Sequence, residues 1–300
     1  MSKKLKIGLA LGGGGARGLA HIGVLKVLEA NKIPIDVIAG TSIGAMAGAI
    51  YSLHLNVSFL EERVLAFLQA PAFRQSGLNL FKKKKAAENF FGQVSKYVKE
   101  RIVINLAHSR PSLVGGWRIS RAVEFLIDDK NFEHCQIPFA CVATDLLTGK
   151  EIIFRKGNLR QAVAASISIP GFLPPVRGNG RLLVDGAVVA PIPIHACKRL
   201  GADVIIAVDV SQPIAGEATF ENMVDVIFRS NSILSYHYKE MLLEYADVVI
   251  RPDVGEAHWS EFQNAQPLIA EGVRAAEQML PKIRQLCERK PSFWQRLFGF

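Results

Sequence analysis

Cysteines, histidine clusters and long apolar runs are all scarce in this 300-residue sequence. The four cysteines lie far apart and form no C-x-x-C pair, which argues against a zinc site or a disulfide framework and fits a reducing cytosol. No cluster of metal-ligating residues is visible, so we expect neither a metal nor another cofactor. The cysteines are Cys135, Cys141, Cys197 and Cys287.

The sequence also shows no pattern typical of a targeting segment or of a membrane-spanning segment. The longest uncharged stretch, residues 37–53, is rich in Gly, Ser and Thr and is no convincing membrane span. The apolar run that follows the basic N-terminus, residues 7–11, is too short for a signal peptide. With 49% apolar residues the chain can bury a large core. We therefore expect a cytoplasmic α/β protein, with peripheral contact to the inner membrane as an option.

The positive charge is concentrated in one part of the chain. The formal net charge is +9, and residues 74–121 hold eleven basic and two acidic residues, so this segment carries the whole excess. We interpret about 71–118 as a basic insertion, either a solvated surface or a lid that contacts an anionic membrane. The basic and aromatic tail, residues 286–300, is a second candidate for such contact. Nucleic acid is not expected, because no recognition module is visible.

The sequence Gly40-Thr41-Ser42-Ile43-Gly44 has the pattern of a nucleophile elbow. Residues 36–39 before it are short and apolar, like the end of a buried strand, and residues 43–53 after it favour a helix. Small neighbours allow the strained turn that lifts a serine hydroxyl out of a sheet and places it at a helix N-terminus. The context therefore favours a nucleophilic role for Ser42.

A glycine loop precedes this elbow by one β-α unit. Gly13-Gly14-Gly15-Ala16-Arg17-Gly18 follows a predicted strand (5–11) and opens a helix, and with Asp36 it fits a dinucleotide-binding fingerprint. Backbone N–H groups of Gly13, Gly14 and Gly15 fit equally well an oxyanion hole, in which glycines approach a ligand closely. The serine elbow that follows favours the oxyanion loop. A P-loop is excluded because no Lys-Ser/Thr follows the last glycine.

The remaining pattern alternates strands and helices and predicts parallel β-α-β pairing. The loop 166–175 is rich in Pro, Phe and Leu, and either simply connects two elements or walls an acyl-chain pocket. Asp185 and Gly186 end an apolar strand, a position where α/β active sites are built, although Asp-Gly is also a common turn. Further predicted strands cover 139–145, 151–154, 181–184, 204–208 and 247–250, and predicted helices cover 57–68, 118–127, 159–165, 220–245 and 268–286.

Taken together and in this order, the motifs resemble those of the patatin-like phospholipase family, in particular the bacterial branch related to neuropathy target esterase. The motifs are the glycine loop 13–18, the elbow 40–44, residues 165–171 (Ala-Ser-Ile-Ser-Ile-Pro-Gly) and Asp185-Gly186-Ala187. The similarity covers about residues 5–210. It implies a three-layer α/β/α fold with a mainly parallel central sheet, formed by a single domain over 1–285.

The resemblance also implies a catalytic mechanism. Ser42 is expected to be the nucleophile and Asp185 the general base of a dyad without a catalytic histidine. The expected activity is that of a phospholipase or lysophospholipase, which cleaves lipid carboxylic esters through an acyl-enzyme intermediate. The supporting residues are Arg17 and Gly18 of the glycine loop, Gly40 and Gly44 of the elbow, and Gly186 after Asp185. Arg17 either fixes the glycine loop or adds positive potential.

Three alternatives remain at the level of sequence. One is a hydrolase with a Ser-His-Asp triad, for which His195, His237 and His258 are available. Another is a dinucleotide-binding oxidoreductase. The third is a non-catalytic regulator on the same fold that binds lipid or a protein partner.

Overall fold

The computed structural model describes residues 4–76, 112, 115–214, 223–255 and 257–288. Most of the predicted basic insertion (residues 77–111) and nearly all of the predicted tail (289–300) lie outside the described residues. The β-strands are β1 (Ile7–Leu11), β2 (Val37–Thr41), β3 (Phe139–Asp145), β4 (Glu151–Phe154), β5 (Val176–Gly178), β6 (Arg181–Asp185), β7 (Val204–Val208) and β8 (Val248–Ile250). The α-helices are α1 (Ala20–Ala30), α2 (Ile43–His54), α3 (Val57–Gln69), α4 (Pro71–Ser76), α5 (Gly116–Leu126), α6 (Leu159–Ser166), α7 (Ile194–Arg199), α8 (Met223–Leu243) and α9 (Ala265–Glu288).

The eight strands form one sheet, which runs β5-β6-β3-β2-β1-β7-β8 with β4 paired to β3. The pairs β1–β2, β1–β7, β2–β3 and β7–β8 are parallel, whereas β4 and β6 run antiparallel to β3. The predicted mainly parallel sheet is therefore confirmed. The carboxyl ends of β1, β2, β3 and β7 meet at one edge, where ligands bind in open α/β sheets.

Helices cover both faces of this sheet, which makes the predicted three layers. Leu9 and Leu11 of β1 face the core shared with α1, α2 and α9, while Ala10 between them faces the core shared with α7 and α8. Successive side chains of a strand point to opposite faces, so a strand buried on both faces reads as a continuous apolar run. This explains why the central strands lack an alternating polar pattern.

The register along β3 brings two chain segments together. β2 pairs with β3 as far as Thr41, opposite Val142, and β6 pairs with β3 from Ala143, opposite Asp185. Val142 and Ala143 both pair with β4 as well, so β4 occupies one side of β3 while β2 and β6 share the other. The end of β6 therefore meets the end of β2, although 143 residues separate Ser42 from Asp185.

The predicted elements are found with shifts of a few residues at their ends, but strand β5 and helix α4 were not predicted. β5 forms a hairpin with β6 through Asn179 and Gly180, both with positive φ. Asn and Gly tolerate this conformation, which two-residue hairpin turns require. Among the described residues no helix is long and apolar enough to cross a membrane.

Candidate active site

Ser42 lies at the sharp turn between β2 and α2. Its backbone has φ 54° and ψ −123°, an uncommon region for a residue with a side chain, and it caps the N-terminus of α2. Gly44 makes the turn possible, because a Cβ there would lie 2.2 Å from the carbonyl oxygen of Leu11. The Ser42 hydroxyl donates a hydrogen bond to Asp185 Oδ2 at 2.6 Å. The turn thus presents the hydroxyl at the carboxyl edge of the sheet with one direct carboxylate partner.

Asp185 ends β6 and is fully buried. Its Oδ2 accepts from Ser42, and its Oδ1 accepts from the Ala187 N–H at 2.8 Å. Burial raises the pKa of Asp185 to about 7, although both hydrogen bonds lower it. A carboxylate with a pKa near neutrality is a much stronger proton acceptor than an exposed aspartate. This environment suits a general base better than a purely structural carboxylate.

Ser166, at the end of α6, holds the backbone of the elbow from behind. Its hydroxyl accepts a hydrogen bond from the Ser42 N–H at 2.9 Å and donates one to the Val142 carbonyl at 2.5 Å. It therefore ties the elbow to β3, beside the point where β6 begins to pair. The sequence analysis assigned this serine only to a connecting or pocket-lining loop. The motif of residues 165–171 was the available signal, but its contact with Ser42 spans 124 positions.

The glycine loop lies against the elbow. Its three predicted N–H donors differ in whether they already form a hydrogen bond. The Gly13 N–H donates to the Pro191 carbonyl at 3.0 Å, so a donor role for Gly13 requires that this bond break. Gly14 and Gly15 have no hydrogen-bond acceptor for their N–H groups among the described residues. The N–H of Ile43 also has no acceptor among the described residues. Ile43 is the first residue of α2, and the first N–H groups of a helix have no partner within the helix. These three donors are available for an anion at this edge.

Arg17 fixes the glycine loop from inside the protein. Its side chain is fully buried, and its Nε donates to the Gly14 carbonyl at 3.1 Å. In a trans peptide the C=O and the following N–H point in opposite directions, so this bond also sets the direction of the Gly15 N–H. Burial lowers the pKa of Arg17 to about 10, while Asp209 raises it, so the guanidinium is charged at neutral pH. Both predicted roles of Arg17 are therefore compatible with its position.

The supporting glycines allow close approach between segments of the site. A Cβ at Gly18 would lie 2.2 Å from the side chain of Ile43, so only glycine permits the helical turn after the loop to pack on α2. Gly40 lies in β2 two residues before Ser42, and Gly186 directly follows Asp185 against the backbone of β3. Each of these predicted residues is thus adjacent to the elbow or to Asp185.

An apolar cavity opens beside Ser42. It offers about 80 Å³ to the centres of water-sized molecules. Gly15 and Ser42 lie at its wall, and Ile167, Ile169 and Leu173 of the predicted apolar loop line it. Further lining residues come from α2, α3, α5 and the C-terminal part of the chain: Met46, Ala47, Leu60, Val64, Phe67, Leu68, Ile119, Ala122, Leu126, Trp259 and Phe262.

With this geometry in view, comparison with known proteins identifies the family. The model of the patatin-like phospholipase family matches residues 9–198, which include the glycine loop, the elbow and Asp185. The chain belongs to the patatin-like phospholipase family. This membership goes against the dinucleotide-binding alternative for the glycine loop.

Relatives within this family are named for phospholipid hydrolysis. Lysophospholipase NTE1 of Pyricularia oryzae is 29% identical over 303 residues, 93% of this chain and 18% of the fungal protein. The patatin-like phospholipase domain-containing protein ZK370.4 of Caenorhabditis elegans is 32% identical over 206 residues, 68% of this chain and 13% of the worm protein. The chain thus spans less than a fifth of the length of these curated relatives.

A solved structure supports the fold of this family member. The crystal structure of VipD from Legionella pneumophila aligns with a TM-score of 0.50 over 93% of this chain and 67% of that chain. At 16% sequence identity, this similarity concerns the fold alone.

The histidines of the rival triad lie elsewhere in this patatin-like domain. His195 Nδ1 contacts Glu151 Oε2 at 2.8 Å, His258 Nδ1 contacts Ser260 Oγ at 2.7 Å, and His237 stacks edge-on against Tyr236. Within the described part of the chain, no histidine hydrogen-bonds to Ser42 or Asp185. The same part of the chain holds no group of three or more His, Cys, Asp or Glu residues arranged to bind a metal.

Proposed function

We propose that this protein is a serine acyl hydrolase that cleaves carboxylic esters of phospholipids or lysophospholipids. Ser42 acts as the nucleophile and Asp185 as the general base. The observation that carries the proposal is the 2.6 Å hydrogen bond from Ser42 Oγ to a fully buried carboxylate, at an elbow beside an apolar cavity. The family membership and the names of the lysophospholipase relatives support the same reaction class.

The first half of the reaction forms an acyl-enzyme. The Ser42 proton moves to Asp185 Oδ2 as Ser42 Oγ bonds to the carbonyl carbon of the ester. The resulting oxyanion is stabilised by N–H groups of Gly14, Gly15 and Ile43, a role typically worth about 3 kcal/mol per donor. Gly13 joins this set only if its bond to Pro191 breaks. Asp185 then returns the proton to the leaving alcohol oxygen, and the acyl group stays on Ser42.

The second half releases the fatty acid. A water molecule gives a proton to Asp185 while its oxygen attacks the acyl carbon, and the same donors hold the second oxyanion. Collapse breaks the bond to Ser42 Oγ, which takes the proton back from Asp185. No step needs a histidine, because one buried carboxylate with a pKa of about 7 accepts and returns the proton in each half.

The cavity supports a lipid as the substrate class. Its wall beside Ser42 is almost entirely apolar, so it suits an acyl chain rather than a polar group. The basic stretch 74–121 and the aromatic tail would add peripheral contact with anionic lipid at the cytoplasmic face of a membrane.

The proposal is tested by hydrolysis of a short-chain p-nitrophenyl ester and of lysophosphatidylcholine. Ser42→Ala and Asp185→Asn are each expected to lose nearly all activity on both substrates while staying folded. Ser52→Ala is a matched control, since Ser52 is a buried serine of α2 whose hydroxyl bonds to the Ala49 carbonyl instead. A fluorophosphonate probe, followed by peptide mass analysis, should label Ser42 in wild type and in the control.

Two outcomes contradict the proposal. If Ser42→Ala keeps the wild-type rate, Ser42 is not the nucleophile. An inactive wild type that resists the probe supports instead a non-catalytic lipid- or protein-binding regulator on the same fold.

A further inference from the structure

Three large apolar side chains are exposed at the edge of the sheet that carries the candidate active site. Leu146 and Leu147 are 48% and 65% exposed, and Val188 is 42% exposed. The leucines form the turn between β3 and β4, and Val188 follows Asp185 by three residues. Exposed apolar side chains gathered near a functional site indicate an interaction surface more often than scattered ones do.

The strand register gives their position relative to Ser42. β3 is parallel to β2, so both strands end at the same edge. Leu146 is four residues beyond Val142, the partner of Thr41, which corresponds to about 13 Å along the strand. The two leucines therefore lie beyond the end of β2, at the same edge of the sheet as the elbow.

The turn that carries the leucines is held in place by a buried carboxylate. Asp145 Oδ1 accepts from the N–H groups of Leu147 and Leu182 at 3.2 Å each, and Oδ2 accepts from Thr148 Oγ1 at 2.8 Å. The Leu146 N–H donates to the Leu182 carbonyl at 2.8 Å. These bonds join the turn to β6, so both leucines are displayed by an ordered structure.

Cationic side chains lie in this turn and on the neighbouring β5–β6 hairpin. Lys150, Arg177 and Arg181 are exposed and form no ion pair with any described residue. Arg177 and Arg181 lie on the β5–β6 hairpin, which is bonded to the turn through Leu182. Of the neighbouring acids, Asp145 accepts the bonds above and Glu151 contacts His195. The local surface is thus apolar and positively charged.

We propose that these side chains form a docking rim for an anionic bilayer surface, and we define the rim as Leu146, Leu147, Lys150, Arg177, Arg181 and Val188. The apolar members enter the interfacial region and the cations contact lipid phosphates and carboxylates. A second copy of the chain fits less well, because a symmetric dimer would bring the same cations face to face. The rim rests on the proposed function in that it brings the site to a lipid substrate, and it contains none of residues 77–111.

Vesicle co-sedimentation tests the rim with the 300-residue chain carrying Ser42→Ala, so that binding is measured without turnover. Vesicles of phosphatidylcholine with and without phosphatidylglycerol are the probes. We expect Leu146→Ser/Leu147→Ser and Arg177→Glu/Arg181→Glu each to weaken binding to the anionic vesicles by about tenfold or more. The matched controls are Met241→Ser, which changes an exposed residue of α8, and Lys130→Glu/Lys282→Glu, which makes the same charge change elsewhere.

The rim variants are also made with Ser42 intact, and their hydrolysis of a soluble short-chain ester should match wild type, which shows that the site is folded. The proposal is overturned if rim and control variants bind anionic vesicles equally. It is also overturned if wild type is a dimer in gel filtration that the rim variants convert to monomer with vesicle binding unchanged. Loss of ester hydrolysis in wild type with intact, rim-dependent vesicle binding would refute the proposed function and not the rim.

Discussion

Asp185 is the residue whose environment most directly sets the expected chemistry. It is fully buried, and burial raises its pKa to about 7. A general base must be ionised in the free enzyme, so we expect kcat/KM for a soluble ester to fall about tenfold per pH unit below this value and to level off above it. The pH profile between about 5 and 9 checks this expectation. A profile that stays flat down to pH 5 would contradict it.

Ser166 provides a second prediction at the residue scale. It is a positioning residue, because its hydroxyl contacts the Ser42 N–H and not the reacting atoms. Ser166→Ala leaves that buried N–H without its partner, a loss of about 1–2 kcal/mol. We expect kcat on the short-chain ester to fall about tenfold with KM nearly unchanged.

Ser168→Ala is the matched control for this experiment. Ser168 lies two residues further along the same loop, and its hydroxyl donates to the Ala164 carbonyl. An equal loss of kcat in both variants would mean that Ser166 acts only through general stability of the loop.

Among the elements, helix α5 forms part of the cavity wall through Ile119, Ala122 and Leu126. Ala122 is buried on α5 and lines the cavity. Ala122→Phe fills space that a long acyl chain needs, so kcat/KM for a long-chain ester should fall about tenfold, while a short-chain ester loses at most about twofold. The ratio of the two rates is the measurement.

A control separates this effect from the general cost of overpacking, about 1–3 kcal/mol of stability. Ala196→Phe changes a fully buried alanine of α7, on the other side of the sheet. It should lower the melting temperature without changing the ratio of long-chain to short-chain rates. An unchanged ratio in Ala122→Phe would show that the acyl chain lies elsewhere.

For the molecule as a whole, we expect ionisation of Asp185 to lower the free energy of unfolding by a measurable amount. A folded-state pKa of about 7 lies above the ordinary aspartate pKa of 3.8, so the stabilising contribution of the protonated form is complete below about pH 4 and is lost as the pH rises to about 7. Asp185→Asn has no ionisable group at this position, so its free energy of unfolding does not show this loss. The gap in unfolding free energy between variant and wild type should widen by about 4 kcal/mol from pH 4 to pH 8, at about 1.4 kcal/mol per pKa unit.

Denaturant unfolding at both pH values measures this gap, and Asp145→Asn is the comparison. The Asp145 pKa is lowered, chiefly by the hydrogen bond from Thr148, so its ionised form stabilises the fold and its replacement should destabilise the protein at pH 8. A gap for Asp185→Asn that stays constant from pH 4 to pH 8 would mean that Asp185 keeps an ordinary pKa.

Most of the elements and the position of the elbow can be read from the sequence alone, because these depend on neighbours in the chain. Apolar runs marked the buried strands, and Gly-x-Ser-x-Gly between a strand and a helix marked Ser42. Asp185 was different: its strand was readable, but its role came from the family resemblance, since Asp-Gly alone is a common turn. β5 was missed because three residues carry too little pattern.

Which of these residues meet depends on the tertiary fold. The shared side of β3 places Asp185 beside Ser42, the Ser166 hydroxyl reaches an N–H 124 positions away, and Pro191 engages the Gly13 N–H. Burial, which sets the pKa of Asp185 and of Arg17, likewise arises only when the layers close over the sheet. Local periodicity carries no information on such contacts, because they depend on strand register and packing between distant segments.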